Sequence, residues 1–272
     1  MSRLLYLFGL LLLTVPVYSQ GLNVDALRCE YKTNPRGVES ASPMLSWELK
    51  STERNVFQSA YQILVADNLK DLSKNTGNIW DSKKTPSGKS IQVSYKGQTL
   101  VGGKTYYWKV RVWDNKGKAS KWATVSNWQM GLLTLTDWKN ASWIAYEKLA
   151  DSNINILPKD NKKDTYVGSN VLPLLRKDFI VKKAIAKASM FISGLGHFEL
   201  SLNGKKQGDH FLDAGWVKYD KEALYVSFDV TESLLRGENT IGVMLGNGFY
   251  YVPPVKGQFR KSKPAFGWPK MI

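Results

Sequence analysis

The sequence predicts an all-β chain built as two successive β-sandwich units. Three observations carry this. Residues 105–113 alternate, with Tyr106, Trp108, Val110 and Val112 on one face and Lys109 and Arg111 pointing away. Phe198, Leu200 and Leu202 repeat the period-two pattern, and Asn203-Gly204 then supplies the positive-φ positions of a type I′ hairpin turn. The chain also lacks the long amphipathic stretches that a helical domain needs.

The first nineteen residues read as a signal peptide. Arg3 gives a positive start, residues 4–13 are an apolar run too short to span a bilayer, and Val17-Tyr18-Ser19 precede a cut at Gln20. No later stretch is apolar enough for a membrane span, so the mature chain is read as exported, to the periplasm or beyond the cell. Its one cysteine, Cys29, leaves no internal disulfide. The residues before it, Ala26-Leu27-Arg28, suit a lipid anchor badly, and a small buried thiol is the better reading. Stability must come from apolar burial, for which 10 Trp, 13 Tyr and 10 Phe are material.

The first unit is placed at residues 20–134. Residues 43–49 open a strand with Leu45, Trp47 and Leu49 in alternation; residues 60–66, 91–95 and 105–113 follow, and residues 122–130 close the set. Asp114-Asn115-Lys116-Gly117 is a turn. Residues 135–174 read as a linker, in which Trp138 and Trp143 bracket a short run and residues 151–170 are polar and without period. The second unit is placed at 175–272. Residues 229–237 read as one capped helical turn, with Thr231 or Asp229 as N-cap and Gly237 as the closing glycine. Ile241, Val243 and Leu245 restart the alternation, and the sequence stops at Ile272 where an apolar strand begins, so the second unit is expected to be incomplete.

The first unit resembles an immunoglobulin or fibronectin type III domain, on Trp47 in an early strand and Leu100 followed six residues later by Tyr106. Val101-Gly102-Gly103 replaces the proline and glycine usual after that leucine. The second unit resembles the N-terminal jelly-roll domain (galactose-binding-like) of bacterial α-L-rhamnosidases, glycoside hydrolase family 78. The residues that carry this are Leu202-Asn203-Gly204, Gly208-Asp209, Gly215-Trp216, Tyr219, Asp229-Val230-Thr231, Leu235, Gly237, Asn239 and Leu245-Gly246-Asn247-Gly248. The resemblance implies a rhamnose-containing glycan as partner and a downstream catalytic barrel working by acid/base hydrolysis with inversion. That family's acidic catalytic motif has no match here, so no catalytic residue is carried over.

Chemistry read from the residues agrees. Glycoside hydrolysis needs two carboxyl groups across a sugar, and nothing in the spacing of Glu199, Asp209, Asp213, Asp220 and Asp229 pairs any two. His197 and His210 have no cysteine near them and make no zinc pattern. Gly194-Leu195-Gly196 and Gly246-Asn247-Gly248 lack the strand-then-helix setting of a phosphate cradle and read as turns. A non-catalytic sugar site is expected at Trp216, Asn247, Phe249 and Tyr250, where rings offer stacking and the amide offers hydrogen bonds. No cofactor is required. Related jelly rolls in some rhamnosidases use calcium, and Asn203, Asp209 and Asn247 are the oxygen donors available for it; Asn203 and Asn247 also suit their turns by backbone alone.

The net charge of +15 is mostly lysine in pairs such as Lys83-Lys84 and Lys205-Lys206. A solvated outer face accounts for it, with attraction to an acidic polysaccharide or anionic surface as the other reading; nucleic acid is not expected as a partner. The expected function is thus the non-catalytic N-terminal region of an exported α-L-rhamnosidase. The alternative is a stand-alone carbohydrate-binding or adhesion protein.

Overall fold

Leu45, Trp47, Ile63, Val65, Trp108, Val110 and Val112 are each 2% exposed or less, and the first unit is organised around them. The structure is a computed structural model and describes residues 21–146, 172–252 and 266–272. The chain divides into two units: Ser40–Thr99 and Thr105–Trp128 with the described residues up to Pro35, and Arg36–Glu39, Leu100–Lys104 and the described residues from Gln129 onward. The signal-peptide reading and the polar run at 151–170 lie outside the described residues.

In the first unit β1 (Asn23–Cys29), β2 (Met44–Lys50), β3 (Gln58–Ala66), α1 (Leu69–Ser73), β4 (Trp80–Asp81), β5 (Thr85–Pro86), β6 (Val93–Ser94), β7 (Thr105–Asp114) and β8 (Ser126–Gln129) follow one another. They form two antiparallel sheets, β1-β2-β6 and β4-β3-β7-β8, with β5 against β3. The β3–β7 pair is the longest, running from Gln58↔Asp114 to Ala66↔Tyr107. Tyr106 stacks on Trp128 at 5.7 Å and Tyr95 meets Trp128 edge-on at 6.1 Å, so the alternating aromatics fill the space between the sheets. Asp114 closes the predicted turn, its Oδ1 accepting from Lys116 N and Lys118 N at 2.9 and 2.8 Å.

Lys109 departs from the sequence reading. It lies on the outer face of β7 but is only 6% exposed, because α1 packs over that face. Its Nζ donates to Leu72 O at 2.7 Å and to Asn75 Oδ1 at 2.6 Å, and this burial pushes its pKa down. The strand expected at 91–95 shrinks to Val93–Ser94. Strand β1 escaped the sequence reading because its register shifts between Asp25 and Arg28, with Ala26 at φ 48°; the shift breaks the period on which strand recognition rests.

Cys29 is 1% exposed, and burial pushes its thiol up to about 12. Its pKa is raised on folding, so the contribution to stability is intact below about 9 and is lost as pH climbs from there towards 12. At pH 8 the native chain is expected to resist alkylation, whereas the urea-unfolded chain reacts stoichiometrically; mass spectrometry after iodoacetamide reads the difference.

In the second unit β9 (Ile144–Ala145), β10 (Leu174–Val181), β11 (Ser189–Ile192), β12 (Gly194–Leu195), β13 (Phe198–Leu202), β14 (Lys205–Lys206), β15 (Val226–Asp229), β16 (Gly237–Leu245) and β17 (Lys270–Met271) give three sheets, β10-β16-β13-β14, β11-β15 and β12-β17-β9. Phe198, Leu200, Leu202, Val243 and Leu245 all point to one core, with Ile192 and Phe228 facing them. The Asn203-Gly204 turn forms as read, with φ of 52° and 76° joining Leu202↔Lys205. The capped turn at 229–237 is shorter than read: it is a three-residue 3₁₀ turn, Thr231–Ser233, and Asp229 Oδ1 takes the Thr231 N–H. Gly237 does not close it but begins β16, because Leu234 is already extended. No helix among the described residues is long and apolar enough to cross a membrane.

Candidate functional site

At one end of the β13–β16 pair, beyond Phe198↔Leu245, two glycine-rich turns meet. Gly246 N donates to His197 O at 2.6 Å. Gly196 sits at φ +126°, and a Cβ there would stand 2.3 Å from Gly246 O. Gly248 sits at φ +54°, and its Cβ would stand 2.8 Å from His197 N. Both positions combine a left-handed backbone with main-chain contact, which only glycine tolerates.

This contact aims the residues that follow. Phe249 turns outward, 53% exposed, and Trp216, 71% exposed, stacks on it at 5.5 Å and 24°. His197 abuts Phe249 edge-on at 5.7 Å, and its Nδ1 is buried with no hydrogen-bond partner among the described residues. Tyr250 turns inward, 6% exposed, against Tyr219 at 5.2 Å and Phe266 at 6.2 Å. The outward pair is a platform, and burial of the next residue, Tyr250, in an aromatic cluster anchors the turn that presents Phe249.

Of the four residues expected at a sugar site, the structure brings Trp216 and Phe249 together at the surface. Asn247 is half-buried beside them, its carbonyl accepting from Tyr251 N at 3.2 Å, and Tyr250 supports the platform from the core without reaching solvent. His197, Tyr219 and Phe266 were not read as parts of this site. The two Gly-x-Gly runs were its signal, since each marks a place where backbones touch.

The calcium set does not assemble. Asn203 lies past the Leu202↔Ile241 end of β13 and Asn247 past the opposite end, so roughly 13 Å or more of strand separates them. Asn203 is also spent locally, its Nδ2 donating to Ser233 O and Asn239 Oδ1, both at 2.9 Å, and its Oδ1 accepting from Thr240 N at 2.8 Å. Asp209 is fully exposed. Among the described residues no group of three or more His, Cys, Asp or Glu could hold a metal ion.

The carboxylates are also placed. Glu199 pairs with Lys206 at 2.9 Å. Asp213 and Asp209 flank His210, at 3.1 and 3.8 Å, so the imidazole stands between them. Asp229 caps its turn and pairs with Arg36 at 3.0 Å; the hydrogen bonds from Thr231 hold its carboxyl below the usual range against the opposing effect of burial. Glu199, Asp213 and Asp229 thus each have a local partner, and Asp209 stands exposed beside His210.

Comparison with known proteins gives a consistent answer. Residues 24–134 match the family model described as the Rha78A-like, N-terminal immunoglobulin domain, and residues 183–269 the one described as the α-L-rhamnosidase N-terminal domain. An α-L-rhamnosidase of Formosa agariphila is 38% identical over 260 residues, covering 90% of this chain and 27% of its own length. The solved α-L-rhamnosidase of Dictyoglumus thermophilum is 34% identical with a TM-score of 0.73, over 91% of this chain and 26% of that one. The Streptomyces avermitilis α-L-rhamnosidase, solved with L-rhamnose, shares the fold at a TM-score of 0.75 and 20% identity, over 92% of this chain and 39% of that one. The chain thus spans about a quarter of the length of the curated relatives it matches.

Proposed function

Because both of its domains belong to the N-terminal region of the α-L-rhamnosidase family, we propose that this chain serves a rhamnose-releasing glycosidase as a non-catalytic glycan-holding region. The observation that carries the reading is the exposed Trp216–Phe249 stack on its glycine-built turn. A pyranose presents C–H groups on one face, and an exposed aromatic face receives them while water leaves both surfaces. The neighbouring Asn247 amide offers a donor and an acceptor for sugar hydroxyls. A catalytic domain acting on terminal rhamnose, and export under direction of residues 1–19, are parts of the same proposal.

Trp216→Ala tests it. Titration of the chain with a rhamnose-bearing oligosaccharide, followed by calorimetry, is expected to show affinity about tenfold weaker than for the parent chain, equivalent to about 1.4 kcal/mol. Thermal stability should hardly change, because the side chain is 71% exposed. Unchanged affinity in the variant would remove the platform from the function.

A further inference from the structure

The first unit carries a second built surface on the outer face of β7. Arg111 is shared between two indoles, its Cζ 4.9 Å from the Trp113 ring and 4.7 Å from the Trp122 ring. Lys84 Nζ lies over Trp113 at 4.8 Å, and Lys109 Nζ over Trp122 at 5.0 Å. Cations and indoles therefore alternate in one ladder: Lys84, Trp113, Arg111, Trp122, Lys109. Gln62, paired with Arg111 across β3–β7, fixes the guanidinium by accepting from Nε at 3.0 Å and Nη2 at 2.8 Å. The nearby acid, Asp81, is occupied by Gln62 and Lys83. Lys84 is exposed and has no carboxylate partner among the described residues, and Arg111 Nη1 has none either.

Residues 21–146 hold +8 of the chain's +15, and residues 253–272 hold a further +5. Residues 21–146 carry 18 Lys and Arg against 10 Asp and Glu, whereas residues 172–252 carry 10 against 9. The part of this face that α1 leaves open, with Lys84 exposed and Arg111, Trp113 and Trp122 half-buried, presents an oriented, partly unpaired guanidinium in a positive field and is suited to anions. The indoles already carry cations, so they are not free to receive the bases of a single-stranded nucleic acid.

We propose that this ladder is a docking face for an acidic polysaccharide, one bearing carboxylate or sulfate groups. The choice of a polysaccharide rests on the glycan reading above; the ladder shares no residue with the Trp216–Phe249 platform. Its consequence is that the first unit holds a charged glycan chain while the second engages sugar rings by stacking.

The test is binding of the whole chain to heparin and to polygalacturonate, with dextran as neutral polymer and duplex DNA as the competing polyanion, at low and physiological salt. Both acidic polysaccharides are expected to bind, more weakly as salt rises, and dextran not to bind through this face. Lys84→Glu is expected to weaken binding by at least about fivefold, the effect of one cation close to an anionic surface. Lys32→Glu, the same charge change next to the other sheet, should do markedly less, and Trp216→Ala nothing. Since Lys84 is exposed, its variant folds; Arg111→Gln, checked by thermal melting, should weaken binding further. Equal effects of Lys84→Glu and Lys32→Glu, or DNA bound as tightly and with the same sensitivity, would overturn the proposal while leaving the platform reading intact. Failure of Trp216→Ala to affect neutral oligosaccharide would do the reverse.

Discussion

Gly196→Ala is expected to separate the Trp216–Phe249 platform from its support and to destabilise the second unit by about 2–4 kcal/mol, the sum of backbone strain and forced displacement. The added methyl would meet Gly246 O at 2.3 Å, and that oxygen cannot rotate away as a side chain could. The turn carrying Phe249 must move, so glycan affinity should fall at least as far as with Trp216→Ala. Gly204→Ala is the matched control. It also has positive φ, at 76°, but nothing lies within 4 Å of the new atom, so only the strain of about 1 kcal/mol remains. Urea unfolding and oligosaccharide titration of the two variants separate conformational strain from collision. Equal losses in both would show that the backbone contact does not hold the turn.

The second large effect is at Asn239, which is 2% exposed and makes four hydrogen bonds. Its Oδ1 accepts from Leu235 N at 2.8 Å and Asn203 Nδ2 at 2.9 Å, and its Nδ2 donates to Leu235 O at 2.7 Å and Gly237 O at 3.0 Å. This one amide ties the end of the 3₁₀ turn, the start of β16 and the β13–β14 hairpin together. Asn239→Ala removes all four bonds from a buried position and leaves Leu235 N and the Leu235 and Gly237 carbonyls without this partner, while Asn203 Nδ2 keeps Ser233 O; the cost is about 2–4 kcal/mol. Asn239→Asp is no rescue: it keeps the oxygen that accepts from Leu235 N and Asn203 Nδ2 but turns a second, negatively charged oxygen toward the Leu235 and Gly237 carbonyls. Both variants should lower the denaturant midpoint of the second unit, the aspartate most at neutral pH, and the gap between them should narrow as acid protonates the new carboxyl. Wild-type-like unfolding of either variant would refute the network's role.

These two positions show how far pattern reading reaches. Gly196 and Asn239 were both visible as motif residues, but their reasons were not. A glycine in a sequence reports that something about the backbone is special. It does not say whether the cause is a turn, as at Gly204, or a neighbouring chain, as at Gly196. Lys109 shows the same boundary. Alternation placed it on the outer face of β7, correctly, and on that ground it was read as solvated. The five-residue α1 that covers it follows β3 by two residues and has no period long enough to recognise.

The candidate site was half legible. Trp216, Asn247, Phe249 and Tyr250 were singled out because aromatic residues beside Gly-Asn-Gly turns suggest ring stacking. Which of two adjacent aromatics faces water depends on how the turn leaves β16, and neighbouring residues carry no pattern that separates Phe249 from Tyr250. The calcium set failed for a related reason. Asn203 and Asn247 sit in similar turn sequences, but antiparallel pairing of β13 with β16 sends them to opposite ends of the sheet.

By itself the sequence determined the all-β class, the long strands and the resemblance to the N-terminal domains of α-L-rhamnosidases, because strand periodicity and turn chemistry are local and survive in linear order. The tertiary structure alone decided which side chains are partners. Contacts between residues far apart in the chain made Asn203 a structural tie, Tyr250 a support, Trp216–Phe249 a surface and Arg111 the middle of a ladder. Each of those outcomes depends on burial and distance, which arise only when separate strands come into register.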